Sequence, residues 1–257
     1  MIRITEIKLP LDHPPSAIVA AVIKKMGINA TDLVEYSIFK RGVDARKADA
    51  ILLAYTLDVT VKGETKVLAK LKKDPHVKLA PDTSYHFVAQ APTDLKTRPI
   101  VVGLGPSGLF AALVLAQSGF KPLVLERGKA VRERTKDTFN FWRKGELNAE
   151  SNVQYGEGGA GTFSDGKLYS QIKDPKHYGR KVLNEFVQAG APEEILYVSH
   201  PHIGTFRLVG MVEKCVKPSL HLEAKFAFKA RLTILKLRMA KCKQLPLRVA
   251  SAFPPII

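Results

Sequence analysis

Gly103, Gly105 and Gly108 stand in a G-x-G-x-x-G spacing, and Glu126 follows 23 positions after the first of them. Glycines so spaced suit phosphate chemistry. The first permits a tight turn, the second lets the backbone approach a pyrophosphate, and the third lets a helix pack close to a strand. A helix starting at Pro106 and Ser107 would aim N–H groups and a positive dipole end at the phosphates. The Glu126 carboxylate can accept hydrogen bonds from both hydroxyls of a ribose and would repel a 2′-phosphate, which argues against NADP. The spacing alone is a weak signal, and its flanks make it specific. Ile100 to Val102 suits a short buried parallel strand, and Ala111, Ala112, Leu115 and Ala116 give the next helix a close-packing face. Gly119 ends that helix, and Leu123 to Leu125 forms a second strand. Together these define a dinucleotide-binding βαβ unit, with FAD and NAD both open on these residues alone.

Other residues could complete the site. Residues 156–168, GEGGAGTFSDGKL, form a glycine-rich loop in which the N–H groups of Gly159, Ala160 and Gly161 could make an anion nest. Arg132 and Arg134 could neutralise a pyrophosphate, or could equally be solvated helix charges. No nucleophile–base pair stands out, so no catalytic residue is assigned and hydrolysis is not indicated. His200 and His202 flank Pro201 without a nearby thiol pair or carboxylate and read as a loop feature, so no metal site is expected. Both cysteines, Cys215 and Cys242, lie late in the chain without metal-ligand spacing.

The elements that must position these residues follow from period and punctuation. Ile2 to Leu9 alternates like a strand, Ser16 to Met26 reads as a helix ended by Gly27, and Leu33 to Arg41 and Ile51 to Val61 read as strands. Thr65 to Lys73 suits a short helix and Tyr85 to Ala89 a last strand, giving the order β-α-β-β-α-β of a ferredoxin-like unit. Ala91 to Arg98 is a polar linker. Helices are expected within residues 131–150, over Tyr178 to Ala189 and from Thr205 to about Lys214.

Composition limits the function classes. Hydrophobic residues are 46% of 257, enough for one or two cored domains. The net charge of +16 suggests a polyanion partner, yet half of it, +8, lies in residues 215–257. Nucleic acid is therefore disfavoured as a partner. The alternative reading is a non-catalytic RNA- or protein-binding module built on the ferredoxin-like domain and the basic tail; a third is an NAD-binding dehydrogenase fragment. Pro99 to Phe120 is an uncharged run long enough for a membrane span, but Gly103, Gly105, Pro106 and Gly108 break it, so no membrane partner is expected. The first residues lack a secretory pattern, which fits a cytoplasmic location.

A resemblance separates FAD from NAD. Glu126-Arg127-Gly128 resembles the strand ending of two-dinucleotide-binding-domain flavoproteins, which bind FAD with this unit. The segments GLGPSGLFAALVLAQSGFKPLVLERG, RERTKDTFNFWRKGELN, SNVQYGEGGAGTFSDGKLYSQIKD and GAPEEILYVSHPHIGTFRLVGMVEK resemble bacterial FAD-dependent dehydrogenases of unassigned substrate, the NAD(FAD)-utilising dehydrogenases. The resemblance implies flavin-mediated redox chemistry, with NAD(P)H a possible electron donor. It also implies cofactor contacts from Gly103, Gly105, Pro106, Ser107, Gly108, Glu126, Arg127 and Arg134, and from a second glycine loop at Gly159, Ala160, Gly161 and Thr162. The expected fold is α/β: a partial Rossmann-like FAD-binding domain over residues 97–214, preceded by a ferredoxin-like α+β domain over residues 1–92.

Members of that family are longer, and the likeness ends at Lys214. Residues 215–257 hold no Gly, no Asp and only Glu223 as an acid, and show no clear amphipathic period. Codon choices exist that turn this stretch, read in a shifted frame, into a helix end, a strand and an Asn-Gly hairpin. The expectation is therefore an out-of-frame tail after Lys214, leaving the flavin site incomplete.

Overall fold

The computed structural model describes residues 1–230, and the chain is mixed α/β with two compact units. One comprises residues 1–84 with 168–180 and 193–201; the other comprises residues 85–167, 181–192 and 202–230.

In the first unit, β1 (Ile2–Pro10), α1 (Ser16–Met26), β2 (Leu33–Asp44), β3 (Leu52–Val61), α2 (Glu64–Lys70) and β4 (Val77–Leu79) follow in that order. The sheet runs β2-β3-β1-β4 with every neighbouring pair antiparallel. Side chains alternate across a strand, so Ile2 and Ile4 of β1 share one face with Leu57 and Val59 of β3. That face is closed by Ile18, Val22 and Met26, one stripe of α1 at four-residue spacing, together with Val67 of α2. Gly27 ends α1 with φ 59°, its N–H bonded to the Ile23 carbonyl at 2.9 Å.

The other sheet face is polar but also covered. Arg3 donates to both carboxylate oxygens of buried Asp58 at 2.6 and 2.7 Å. Phe39 lies between two cations, with the Arg3 guanidinium carbon 3.5 Å and that of Arg180 4.5 Å from its ring centroid. Residues 197–199 run along the outer edge of β2: Arg41 N–H donates to the Tyr197 carbonyl at 2.7 Å, and Val198 pairs with Arg41 in a parallel bridge. An edge strand left with open amides would be a site for unwanted pairing, and this stretch covers the edge at Arg41.

The expected strand at Tyr85 to Ala89 is not formed; the last strand is β4, eight residues earlier. Val77 is the reason: it is buried and pairs opposite Ile4, which completes the apolar face. Tyr85 and Phe87 instead pack edge to face, 5.0 Å between centroids.

In the second unit, β5 (Ile100–Val102), β6 (Leu123–Leu125) and β7 (Lys225–Ala227) form a parallel sheet with β6 in the middle. Its helices are α3 (Pro106–Gln117), α4 (Val131–Lys144), most of α5 (Tyr178–Gln188) and α6 (Thr205–His221). Parallel neighbours need a crossover, and α3 supplies it between β5 and β6. Among the described residues, no helix is long and apolar enough to cross a membrane.

Helix α6 corrects the expected break at Lys214. Its buried positions are Leu208, Met211, Val212, Cys215, Val216 and Ser219, a three-and-four spacing that continues across residue 214. The chain then supplies β7, whose Phe226 pairs beside Val124. Pro218 lies inside this helix without interrupting the buried stripe. Residues 215–230 are thus part of the fold; the remainder of the expected tail lies outside the described residues.

Candidate functional site

The βαβ turn is built as its glycines require. Gly103 adopts φ 88°, and its N–H bonds the Leu125 carbonyl at 2.7 Å, tying the end of β5 to β6. Gly105 is extended and caps α3, and Pro106 takes the first helical turn, where its missing N–H costs nothing. A Cβ at Gly108 would stand 1.9 Å from the Gly103 carbonyl oxygen, so only glycine lets α3 begin this close to the strand.

A cavity of about 470 Å³ opens over this turn. Of the anticipated residues, Gly103, Gly105, Glu126, Arg127 and Gly159 line it, joined by Gln154, Tyr155 and Gly156. Glu126 is only 6% exposed. Its Oε2 accepts the Leu104 N–H at 2.6 Å and its Oε1 the Gly128 N–H at 2.7 Å. A carboxylate has roughly four acceptor positions, so about two remain for a ligand. Glu126 therefore braces the first turn against the chain after β6 while still facing the cavity.

The glycine-rich loop docks on the same turn. Gly158 N–H donates to the Leu104 carbonyl at 2.7 Å, and a Cβ on Gly159 would stand 3.1 Å from the Gly105 Cα. What shapes the loop is Arg134, which is fully buried. Its Nε donates to the Asn152 carbonyl at 2.8 Å, its Nη1 to Glu157 at 2.6 Å, and its Nη2 to Val153 and Gly159 at 2.7 and 2.8 Å. Nη1 also reaches Thr162 Oγ1 at 3.2 Å. This corrects the expectation for Arg134: its donors are spent on the loop's own oxygens, so it does not meet a pyrophosphate. Burial lowers its pKa to about 10, which still leaves it charged at neutral pH. Gly156, at φ 123°, is the point of closest approach, where a Cβ would stand 2.4 Å from the Arg134 Cδ.

The anion nest expected from the N–H groups of Gly159, Ala160 and Gly161 is not presented to the cavity. The Gly159 N–H bonds the Gly156 carbonyl, and Thr162 is buried against Arg134 rather than lining the cavity. Ala160 and Gly161 form an exposed single turn of 3₁₀ helix outside the cavity lining. Ser107 belongs to the first turn of α3. Arg132 pairs with Glu213 on an exposed surface.

Glu157 went unrecognised in the sequence. Its Oε2 accepts the Val131 N–H at 2.6 Å, capping α4, and burial pushes its carboxyl above the ordinary 4.5, with Glu213 and Glu126 adding to the effect. A raised folded-state pKa contributes stability that is fully present below pH 4.5 and lost as pH rises through the higher value. Glu157→Gln keeps the acceptor for Val131 and removes the titration. Its stability relative to the parent should therefore increase between pH 4 and pH 7, read from urea midpoints. A difference that does not change with pH would contradict this.

A second cavity, about 510 Å³, is lined mainly by apolar surface, including Val216, Leu220, Phe226 and Phe228. It is slightly larger, but it lacks both glycine turns, so the chemistry of the site belongs to the smaller one. Cys215 is buried in α6, and burial pushes its thiol up to about 12, which makes it inert.

Two comparisons bear on the chain. A family model described as "Domain of unknown function (DUF8436)" matches residues 1–60. A protein of Clostridium beijerinckii, titled "Uncharacterized protein", is 41% identical over 231 residues, 90% of this chain and 43% of its own length. The chain thus spans less than half of that relative. The match is longer than the 214 residues that precede Cys215, so the likeness continues past the expected break, as α6 and β7 do.

Proposed function

We propose that the second unit is the adenosine- and pyrophosphate-binding part of a Rossmann-like FAD domain, and that the longer protein it represents is an FAD-dependent oxidoreductase. The observation that carries this reading is one cavity lined by a glycine turn that only glycine permits, by a nearly buried carboxylate, and by a second glycine loop. The sheet order β5-β6-β7 with the α3 crossover supports it, because ligands bind at the carboxyl ends of such strands. The FAD choice within the dinucleotides rests on the Glu126-Arg127-Gly128 ending and the loop segments, together with their resemblance to NAD(FAD)-utilising dehydrogenases. Gly103, Gly105 and Gly159 would lie along the pyrophosphate and Glu126 would hold the ribose. The flavin would supply electron transfer once bound. Ile100 and Val102 are 56% and 59% exposed on one face of β5, an apolar surface suited to cover by further chain in the longer protein.

The first unit has the strand order of a ferredoxin-like fold. Its outer sheet face, the surface a base-stacking RNA module would use, is filled by Phe39, Arg180 and the Arg3–Asp58 pair. A docking or structural role suits it better.

Glu126 supplies the test. The full chain should bind ADP more tightly than ADP bearing a 2′-phosphate. Glu126→Gln should weaken ADP about tenfold, the value of one charge-assisted hydrogen bond, and narrow the preference. It should also lower stability, since an amide offers one acceptor oxygen to two N–H donors. Equal affinity of the parent chain for both nucleotides would overturn the ribose assignment.

A further inference from the structure

One wall of the cavity carries an arrangement that the phosphate turn and Glu126 do not use. Arg127 and Tyr155 both line the cavity. The Arg127 guanidinium carbon lies 4.4 Å from the Tyr155 ring centroid. Its edge is gripped by Glu150: Nε donates to one carboxylate oxygen, and Nη2 donates to the other at 3.1 Å. Two parallel donors on one carboxylate fix the plane of a guanidinium as well as its position. A ring on one face and a carboxylate along one edge leave the opposite face for a ligand.

The chain that presents Glu150 and Tyr155 is itself fixed. Asn148 Oδ1 accepts the N–H groups of Glu150 and Ser151 at 3.0 and 3.1 Å, and Asn152 Oδ1 accepts that of Gln154 at 2.9 Å. Asn152 Nδ2 returns to the Asn148 carbonyl at 2.8 Å. Yet the pair at the tip does little for the fold: the side chains of Arg127 and Glu150 are 36% and 46% exposed, and ion pairs at that exposure contribute little to stability. An ordered turn holding a flat cation at a cavity wall, with little stabilising return, is an arrangement suited to a ligand.

We propose that Glu150 and Tyr155 are positioning residues that hold the Arg127 guanidinium as a planar stacking surface for the purine base of an adenine nucleotide. This rests on the nucleotide reading of the cavity. Bases stack on aromatic rings and on guanidinium planes, while a lysine ammonium offers charge without a plane. Arg127 directly follows the carboxylate assigned to the ribose, and both line the same cavity, so the base and the sugar it is attached to would meet adjacent residues.

The test uses the full chain with ADP and inorganic pyrophosphate as probes, read by titration calorimetry. Arg127→Lys and Glu150→Ala should each weaken ADP about tenfold, the scale of one base stack. Both should unfold within about 1 °C of the parent. Arg127→Lys should leave pyrophosphate affinity unchanged, because the charge is kept. If Arg127→Lys or Glu150→Ala binds ADP as the parent does, the stacking role is wrong while the nucleotide reading stands. If the parent chain does not bind ADP, the nucleotide reading fails and this inference with it.

Discussion

Arg134→Lys should unfold the second unit at a temperature about 10 °C lower than the parent and should abolish the shape of the glycine-rich loop. The guanidinium is fully buried and serves the carbonyls of Asn152, Val153, Glu157 and Gly159. A lysine keeps the charge but presents one nitrogen where three are needed, so several buried carbonyls lose their donor. Breaking a buried charged network of this kind costs about 3–5 kcal/mol, and for a chain of this size each kcal/mol moves the midpoint by roughly 2–4 °C. Thermal unfolding gives the size, and hydrogen exchange at residues 152–162 gives the location. A midpoint within about 2 °C of the parent would show that the loop holds its form without the fork.

Gly108→Ala carries the second large effect. The added Cβ would meet the Gly103 carbonyl oxygen at 1.9 Å and its carbon at 2.9 Å. Both obstacles are backbone, so no side chain can swing away, and α3 must withdraw from β5. Overpacking of this kind costs about 1–3 kcal/mol and sometimes more. Because Gly103 lines the cavity, the same movement opens the glycine turn proposed for the phosphates, and ADP affinity should fall at least as far as stability does. Denaturant midpoints and an ADP titration on the one variant check both halves.

Much of this was legible in the residues. Strands β1, β2, β3 and helix α1 announce themselves by period and by Gly27, and the βαβ unit by glycine spacing with Glu126 at its end. What was not legible depends on contacts distant in sequence. Arg134 reads as a helix charge until the loop 18 to 25 residues later closes on it. Glu157 looks like a loop residue because the helix it caps begins 26 residues earlier. Strand β4 is three residues long and depends on Val77 alone for its burial, so the more aromatic Tyr85 to Ala89 was the stronger local signal. The break expected at Lys214 reflected the absence of Gly and Asp, a single acid and no clear amphipathic period, none of which prevents a buried stripe from continuing to Ser219.

Gly105 separates binding from folding more cleanly than any other position. Its φ is −72°, a value any residue adopts, and a Cβ there would come no closer than 3.9 Å to the Gly159 Cα. It nevertheless lines the cavity at the turn proposed for the pyrophosphate. The decisive measurement is a calorimetric titration of the full chain and of Gly105→Ala with ADP. The account predicts saturable one-to-one binding by the parent. It predicts binding at least tenfold weaker for the variant, with unfolding midpoints that agree within about 2 °C. Equal ADP affinity in the two proteins, or none in the parent, would contradict it.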